Sequence, residues 1–214
     1  MREIKISEIF CSIQGEGKNV GKPSVFVRVS GCDLAEKCPI ECDTKYAWYE
    51  GKEMKVSEII KIIKTFPVTN IIFTGGEPGL YADEILEIID RLKDYTTEVE
   101  TNGNKDLFHI YPFFDVVTIS PKKGFEDLDF LVTVKDFPNV IFKFVVKDEE
   151  DFDYWHTIVL RLRIPKEKVY FMPEGTTDEI LKERSLWLVE KCKQHNFNFS
   201  PRLHIWLWGN VRGR

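Results

Sequence analysis

Three cysteines crowd into one polar loop: Cys32, Cys38 and Cys42, separated by five and three residues. Thiolates bind soft and borderline metals, and three of them leave one position of a four-ligand centre unfilled. An iron-sulfur cube held this way keeps one iron open to a second molecule, whereas a structural zinc ion wants a fourth Cys or His. His109, His156, His195 and His204 are the available imidazoles; all lie far off in sequence and none has the spacing of a ligand pair. The loop therefore favours an open iron-sulfur cluster. Five cysteines in total is an odd number, laid out poorly for a disulfide framework. Cys192 shares a helical face with Leu181 and Leu188, and Cys11 sits in an alternating apolar stretch, so both are expected to be core thiols.

Other residues carry chemistry by type and position. TGGEP (74–78) puts two glycines where a backbone can approach a ligand closely, followed by Glu77, whose carboxylate can accept from a ligand ammonium. A tight turn with an exposed glutamate is the plainer alternative. Arg28 interrupts the apolar run VFVRVS, where an unpaired charge is costly. It requires an acidic partner: either a ligand carboxylate held bidentate or one of the 35 acidic side chains of the chain itself.

Strand-like runs that must position these groups recur at 24–30, 70–75, 96–101, 115–120, 140–146 and 168–173. Helical spacing links Val56, Ile59, Ile60 and Ile63, then Ile85, Ile88, Ile89 and Leu92, and a long helical stretch runs from Thr177 to His195. Alternating strands and helices predict a parallel sheet with helical crossovers. The unusual residues all follow strands: GCDLAEKCPIECDT, TGGEP, ETNG, SPK and MPEG. Loops at the carboxyl ends of parallel strands share one face, so five of them converge on one site. The last segment, LHIWLWGNVRGR, alternates apolar and polar side chains and reads as a short edge strand. With 214 residues, 43% of them hydrophobic, one domain spanning 1–214 is expected. The net charge of -5 is spread in mixed runs, which argues against direct nucleic-acid binding. Neither a leader nor a membrane span is evident, so a cytoplasmic location is expected.

Taken in order, GCDL, CDT, TGGEP, ETNG and SPK resemble the successive motifs of radical S-adenosylmethionine (SAM) enzymes. FCSIQGEGKNVGKPSVFVRVSGC near the start and SPRLHIWLWGNVRGR at the end narrow the resemblance to the 7-carboxy-7-deazaguanine synthase family, from about residue 7 onward. That resemblance implies an incomplete (β/α)6 TIM-like barrel with a radical SAM core. It implies a 4Fe-4S cluster on Cys32, Cys38 and Cys42, whose open iron is chelated by SAM, and Mg2+ on Thr44. The SAM pocket would be lined by Glu41, Cys42, Asp43, Gly76, Glu77, Ser120, Pro121, Lys122, Met172, Pro173, Glu174 and Gly175. Substrate contacts would come from Ile13, Gln14, Gly15, Arg28, Thr74 and the terminal carboxylate of Arg214. The implied reaction converts 6-carboxy-5,6,7,8-tetrahydropterin to 7-carboxy-7-deazaguanine with loss of ammonia, in the biosynthesis of the 7-deazapurines queuosine and archaeosine of tRNA. Gln14, with a donor and an acceptor, suits the edge of a pterin ring, or is a polar turn residue. A homodimer and a reductant such as flavodoxin or ferredoxin are the implied partners.

The chain departs from the usual family spacing Cys-x3-Cys-x2-Cys, because both gaps are longer here. The retained GCDL and CDT on either side favour a rearranged cluster loop around the same three ligands. Two rivals are a radical SAM activase that draws a glycyl radical from a partner protein and a scaffold that has kept the loops but lost the cluster.

Overall fold

The computed structural model describes residues 2–104 and 108–214. In chain order the elements are β1 (Glu3–Ile13), β2 (Pro23–Val29), β3 (Lys52–Lys55), α1 (Val56–Ile63), β4 (Asn70–Gly75), α2 (Ala82–Arg91), β5 (Thr96–Thr101), β6 (Val116–Ile119), α3 (Leu128–Val134), β7 (Val140–Val146), α4 (Glu149–Leu162), β8 (Val169–Pro173), α5 (Asp178–His195), β9 (Asn198–Phe199) and α6 (Leu203–Trp208). They build one nine-stranded sheet ordered β3-β1-β2-β4-β5-β6-β7-β8-β9. From β2 to β9 every pair is parallel, while β1 runs antiparallel to both β2 and β3. β3 and β9 remain as edges, so the sheet curls without closing: an incomplete TIM-like barrel.

The six strands read from the sequence are β2 and β4 to β8, each placed to within one residue at either end. The alternation along them sorts two faces with period two. Val25, Val27 and Val29 of β2, Ile71 and Phe73 of β4, and Val140, Phe142, Phe144 and Val146 of β7 belong to the apolar core under the helices. The intervening residues face the other way, and many are polar although buried: Ser24, Asn70, Thr74, Glu98, Thr118 and Lys143. A buried polar face on a parallel sheet is costly unless its groups are paired or bind something.

Helix boundaries follow from local chemistry. Glu58 accepts from the Lys55 backbone N–H at 3.0 Å and closes the start of α1, and Asp148 accepts from Asp151 N–H at 3.0 Å at the start of α4. Arg163 and Asn196, at φ of 54° and 59°, end α4 and α5 in the left-handed conformation. As the spacing predicted, Val56, Ile59, Ile60 and Ile63 are buried, and so are Leu181, Leu188 and Cys192.

Two expectations are corrected. The segment after Arg202 is helical over Leu203–Trp208, with Gly209 N–H donating to Ile205 O at 2.8 Å. A strand there needs an open edge of matching length, and β9 at the sheet edge has only two residues. Cys11 is exposed, not a core thiol. It stands opposite Val25 in the register, and β1 pairs with β3 only over Glu3–Ile6, so beyond that point one side of β1 has no neighbouring strand.

Candidate active site

The carboxyl ends of β2, β4, β5, β6 and β8 surround one cavity of about 190 Å³. Of the site residues named from the sequence, all line it except Pro121, Pro173 and Gly175, which are buried behind its wall. His109, His156 and His195 lie elsewhere, and only His204 of the four histidines is at the cavity.

Cys32, Cys38 and Cys42 share one end of the cavity, each partly exposed to it. Burial raises the Cys32 thiol above its ordinary value, with Asp33 and Glu77 adding to the effect and main-chain donors opposing it. Burial likewise raises Cys42, helped by Asp43 and opposed by Thr44. Such thiols ionise when a cationic centre binds them. Tetrahedral zinc holds sulfurs about 3.8 Å apart, given its 2.3 Å bonds. Among the described residues the one set of three Cys, His, Asp or Glu donor atoms within 4.8 Å of one another is Glu16, Asp43 and His204, so the three sulfurs stand wider than a single ion requires. That donor set fits an iron-sulfur cube, whose thiolates bind separate irons. The Thr44 hydroxyl lies 3.4 Å from Cys42 Sγ and offers a hard oxygen beside it, which fits a magnesium ion that takes its remaining ligands from water and substrate.

The glycine pair of TGGEP serves close packing against the cysteine loop. A Cβ on Gly76 would lie 1.7 Å from Gly31 O, next to Cys32. Glu77 N–H donates to Gly31 O at 2.7 Å and fixes the same approach. Glu77 itself is only 1% exposed and accepts from Thr101 Oγ1 at 2.6 Å, Gly79 N–H at 2.8 Å and Asn102 N–H at 2.8 Å. Burial raises its carboxyl above the ordinary range against these donors. Glu77 is therefore a tie between two strand-end loops as well as part of the cavity wall, and the exposed-turn alternative is excluded. Lys122 Nζ donates to Ser120 Oγ at 2.9 Å, and burial lowers its ammonium below the usual lysine value while the nearby Cys38 pulls the other way.

Arg28 has an internal partner: its Nε donates to Glu8 Oε1 at 2.7 Å. Its two terminal nitrogens carry no hydrogen bond among the described residues, and Arg28 lines the cavity. Glu8 also accepts from Tyr46 Oη at 2.5 Å and from Arg212 Nε at 3.2 Å, while the Arg212 guanidinium stacks 4.0 Å above the Tyr46 ring. Gln14 is 5% exposed, donates to Glu100 Oε1 at 3.2 Å and accepts from Glu16 N–H at 3.2 Å. Thr74 Oγ1 donates to the other Glu100 oxygen at 3.0 Å.

Beneath them runs a buried ion network that sequence reasoning missed. Lys143 Nζ lies 2.5 Å from Glu16 Oε2 and 3.6 Å from Glu100. Arg202 Nε donates to Glu16 Oε1 at 3.0 Å and its Nη2 to Asp43. Burial alone would raise the Glu16 carboxyl, but Lys143, Arg202 and His204 outweigh it and hold it down at about 2. Asp43 is likewise held well below the carboxylate range, Arg202 and His204 overcoming the penalty of burial. The Glu16 and Asp43 oxygens are thus already engaged with Arg202, and His204 Nε2 lies 3.7 Å from Asp43 and 4.0 Å from Glu16. Lys143 had a signal of the same kind as Arg28, a cation inside the apolar run VIFKFVV. Glu16 and Arg202 had none, since each sits in a loop with ordinary polar neighbours.

No family model matches the chain. Curated relatives do: a 7-carboxy-7-deazaguanine synthase of Pyrobaculum aerophilum is 37% identical over 99% of this chain and 97% of its own length. One of Halobacterium salinarum is 32% identical over 97% and 91%. Among solved structures, QueE from Escherichia coli superposes with a TM-score of 0.73 over 94% of this chain and 95% of that one, at 22% identity, a likeness of fold. Streptococcus suis SuiB matches with a TM-score of 0.54 over 80% of this chain and 47% of its own.

Proposed function

Because the chain belongs to the 7-carboxy-7-deazaguanine synthase family, we propose that it converts 6-carboxy-5,6,7,8-tetrahydropterin to 7-carboxy-7-deazaguanine and ammonia, supplying the 7-deazapurines of tRNA. The observation that carries this reading is the gathering of three cysteines, the TGGEP and SPK loops, Arg28 and His204 around one cavity on the polar face of the sheet.

Cys32, Cys38 and Cys42 would hold a 4Fe-4S cluster and Thr44 a magnesium ion, with SAM between the cluster and the strand-end loops. Bound together, cluster and SAM supply hydrogen abstraction by a 5′-deoxyadenosyl radical. The chain's own residues bind, orient and shield. Gly75 and Gly76 let the strand end pack directly against Val29 and Gly31 and so set the position of the loop that carries Cys32. Arg28 lines the cavity with Nε anchored on Glu8, which leaves its two terminal nitrogens for a substrate carboxylate. Thr74, beside Arg28 on the neighbouring strand, and Gln14 are oriented by Glu100. Phe10, Phe26 and Trp48 exclude water from the same cavity. A homodimer and a flavodoxin or ferredoxin as reductant complete the reading. Among the described residues no helix is long and apolar enough to cross a membrane.

The test is anaerobic reconstitution with iron and sulfide, then turnover with SAM, magnesium, dithionite and the carboxypterin. Production of the deazapurine together with 5′-deoxyadenosine supports the reading. SAM cleavage with no deazapurine points to an activase. Failure to take up iron, with a triple Cys→Ala variant behaving like the parent, points to a scaffold.

A further inference from the structure

Between Cys38 and Cys42 stand Pro39, Ile40 and Glu41, one residue more than the usual family gap. Each residue added to a loop enlarges the set of conformations from which the third thiolate must be drawn, so a longer gap places Cys42 less well unless something else restrains it. The structure holds such a restraint. Glu41 backbone N–H donates to Glu174 Oε1 at 2.7 Å, immediately before Cys42. Glu174 is 9% exposed, and its other oxygen lies 3.1 Å from Arg184 Nη1 on α5. The same Nη1 donates to the Glu174 carbonyl at 2.7 Å, and Glu174 N–H donates to Val146 O at 2.9 Å at the end of β7. Both carboxylate oxygens are thus satisfied from within the protein, and the residue is rooted in two secondary-structure elements. On the other side of Cys42, Asp43 is bound by Arg202, whose Nη1 donates to Gly175 O at 2.5 Å. The third cysteine is flanked by two anchors, and both lead to the loop after β8.

We propose that Glu174 and Arg184 form a strut that positions Cys42 and offsets the freedom of the lengthened gap, so that Glu174 acts on the cluster loop and not on SAM. The inference rests on the cluster assignment made under Proposed function. Charge-assisted hydrogen bonds of this kind are among the stronger restraints available to a loop.

The test uses reconstituted Glu174→Ala, Glu174→Gln and Arg184→Met proteins without SAM. Transfer of iron to a ferrous chelator is timed anaerobically, and the electron paramagnetic resonance spectrum of the dithionite-reduced cluster is recorded. Glu174→Ala and Arg184→Met are expected to lose iron about tenfold faster than the parent and to broaden the spectrum. Glu174→Gln keeps an acceptor for Glu41 N–H and should fall between. The double variant should lose iron no faster than Glu174→Ala alone, because the two residues act through one contact. If Glu174→Ala does not fold by circular dichroism, Arg184→Met carries the test, since Arg184 is partly exposed. Parental iron-release rates and spectra in the variants, with only SAM affinity changed by Glu174→Ala, overturn the strut. A parent protein that holds no cluster overturns the functional reading instead.

Discussion

Replacing Lys143 with methionine removes the strongest of the charge interactions that lower Glu16 and leaves a hydrophobic side chain of similar reach on the inner face of β7. Glu16 is held at about 2 against an ordinary 4.5, which corresponds to roughly 3 kcal/mol favouring the ionised folded form. Arg202 and His204 remain after the substitution, so roughly half of that is forfeited by Glu16. Glu100 loses its cation as well but keeps Gln14 and Thr74; together the loss is about 2–3 kcal/mol, the lower end for breaking a buried pair. For a chain of this size the melting temperature of the cluster-free protein at pH 7 then falls by about 5–10 °C. The pH dependence has a definite sign. A carboxyl depressed in the folded state contributes stability above its unfolded value, and that contribution fades as pH falls from about 4.5 through about 2. In the variant Glu16 protonates at a higher pH than in the parent, so the deficit narrows only as pH falls below about 4 toward about 2. Lys143 is raised in the folded state, and its own contribution is lost only on the alkaline side, outside this window. Differential scanning fluorimetry at pH 7 and at about pH 2.5 decides the matter: equal melting temperatures at pH 7, or a deficit of the same size at about pH 2.5, would refute the ion-network argument.

Gly76→Ala drives a Cβ to within 1.7 Å of Gly31 O and must displace the chain at Cys32, so iron uptake on reconstitution should collapse with a stability loss of about 3 kcal/mol or more. Gly124→Ala, with φ of +82° and nothing within 4 Å, should cost only about 1 kcal/mol of backbone strain and leave iron uptake intact. Thiol labelling of the folded, cluster-loaded protein at pH 8 should modify the exposed Cys11 first. Cys192, whose thiol is pushed up to about 12 by burial, should react only after unfolding, as peptide mapping would show. Arg28→Met should raise the KM for the carboxypterin by about tenfold or more, a loss of about 1.4 kcal/mol, while SAM binding measured by equilibrium dialysis stays near the parent's. Weakened SAM binding in that variant would place Arg28 on the other side of the cavity.

The parallel strands were legible because β2 and β4 to β8 are bounded by turn residues and saturated with β-branched and aromatic side chains on the helix-facing side. The loops that follow them were legible for a different reason: cysteine, paired glycine and proline in a fixed order after each strand have few structural explanations. α3 and α4 were not read as helices, since α4 opens on Glu149, Glu150 and Asp151 and that charge run masks the stripe formed by Phe152, Trp155, Ile158 and Val159. α6 was read as a strand because six residues are too few to separate a period of 2 from one of 3.6. Cys11 was misplaced because alternation tells which face a residue takes and not whether anything covers that face. Glu16 and Arg202 are 186 positions apart, and no local pattern reports a pairing across that distance.

That distance has a structural consequence. A barrel that stops short of closure lacks the strands that would wall its interior, and here two segments remote in sequence take their place. Leu203 N–H donates to Gly15 O at 2.9 Å and Gly17 N–H to Ser200 Oγ at 2.8 Å. A Cβ on Gly15 would stand 2.1 Å from His204 Nδ1, so the imidazole packs where only a glycine permits it. Arg202 then reaches Glu16 and Asp43, and Arg212 reaches Glu8 and Glu50. The loop after β1, the cysteine loop and the segment from Ser200 to Arg212 are therefore one cooperative unit, joined chiefly by buried charge rather than by apolar area. Joints of that kind are weak in net energy but strict in geometry, because a charge moved out of register is left buried and unpaired. The sheet supplies the stability of this protein, and the ion network over its open side fixes where the cavity's polar groups stand.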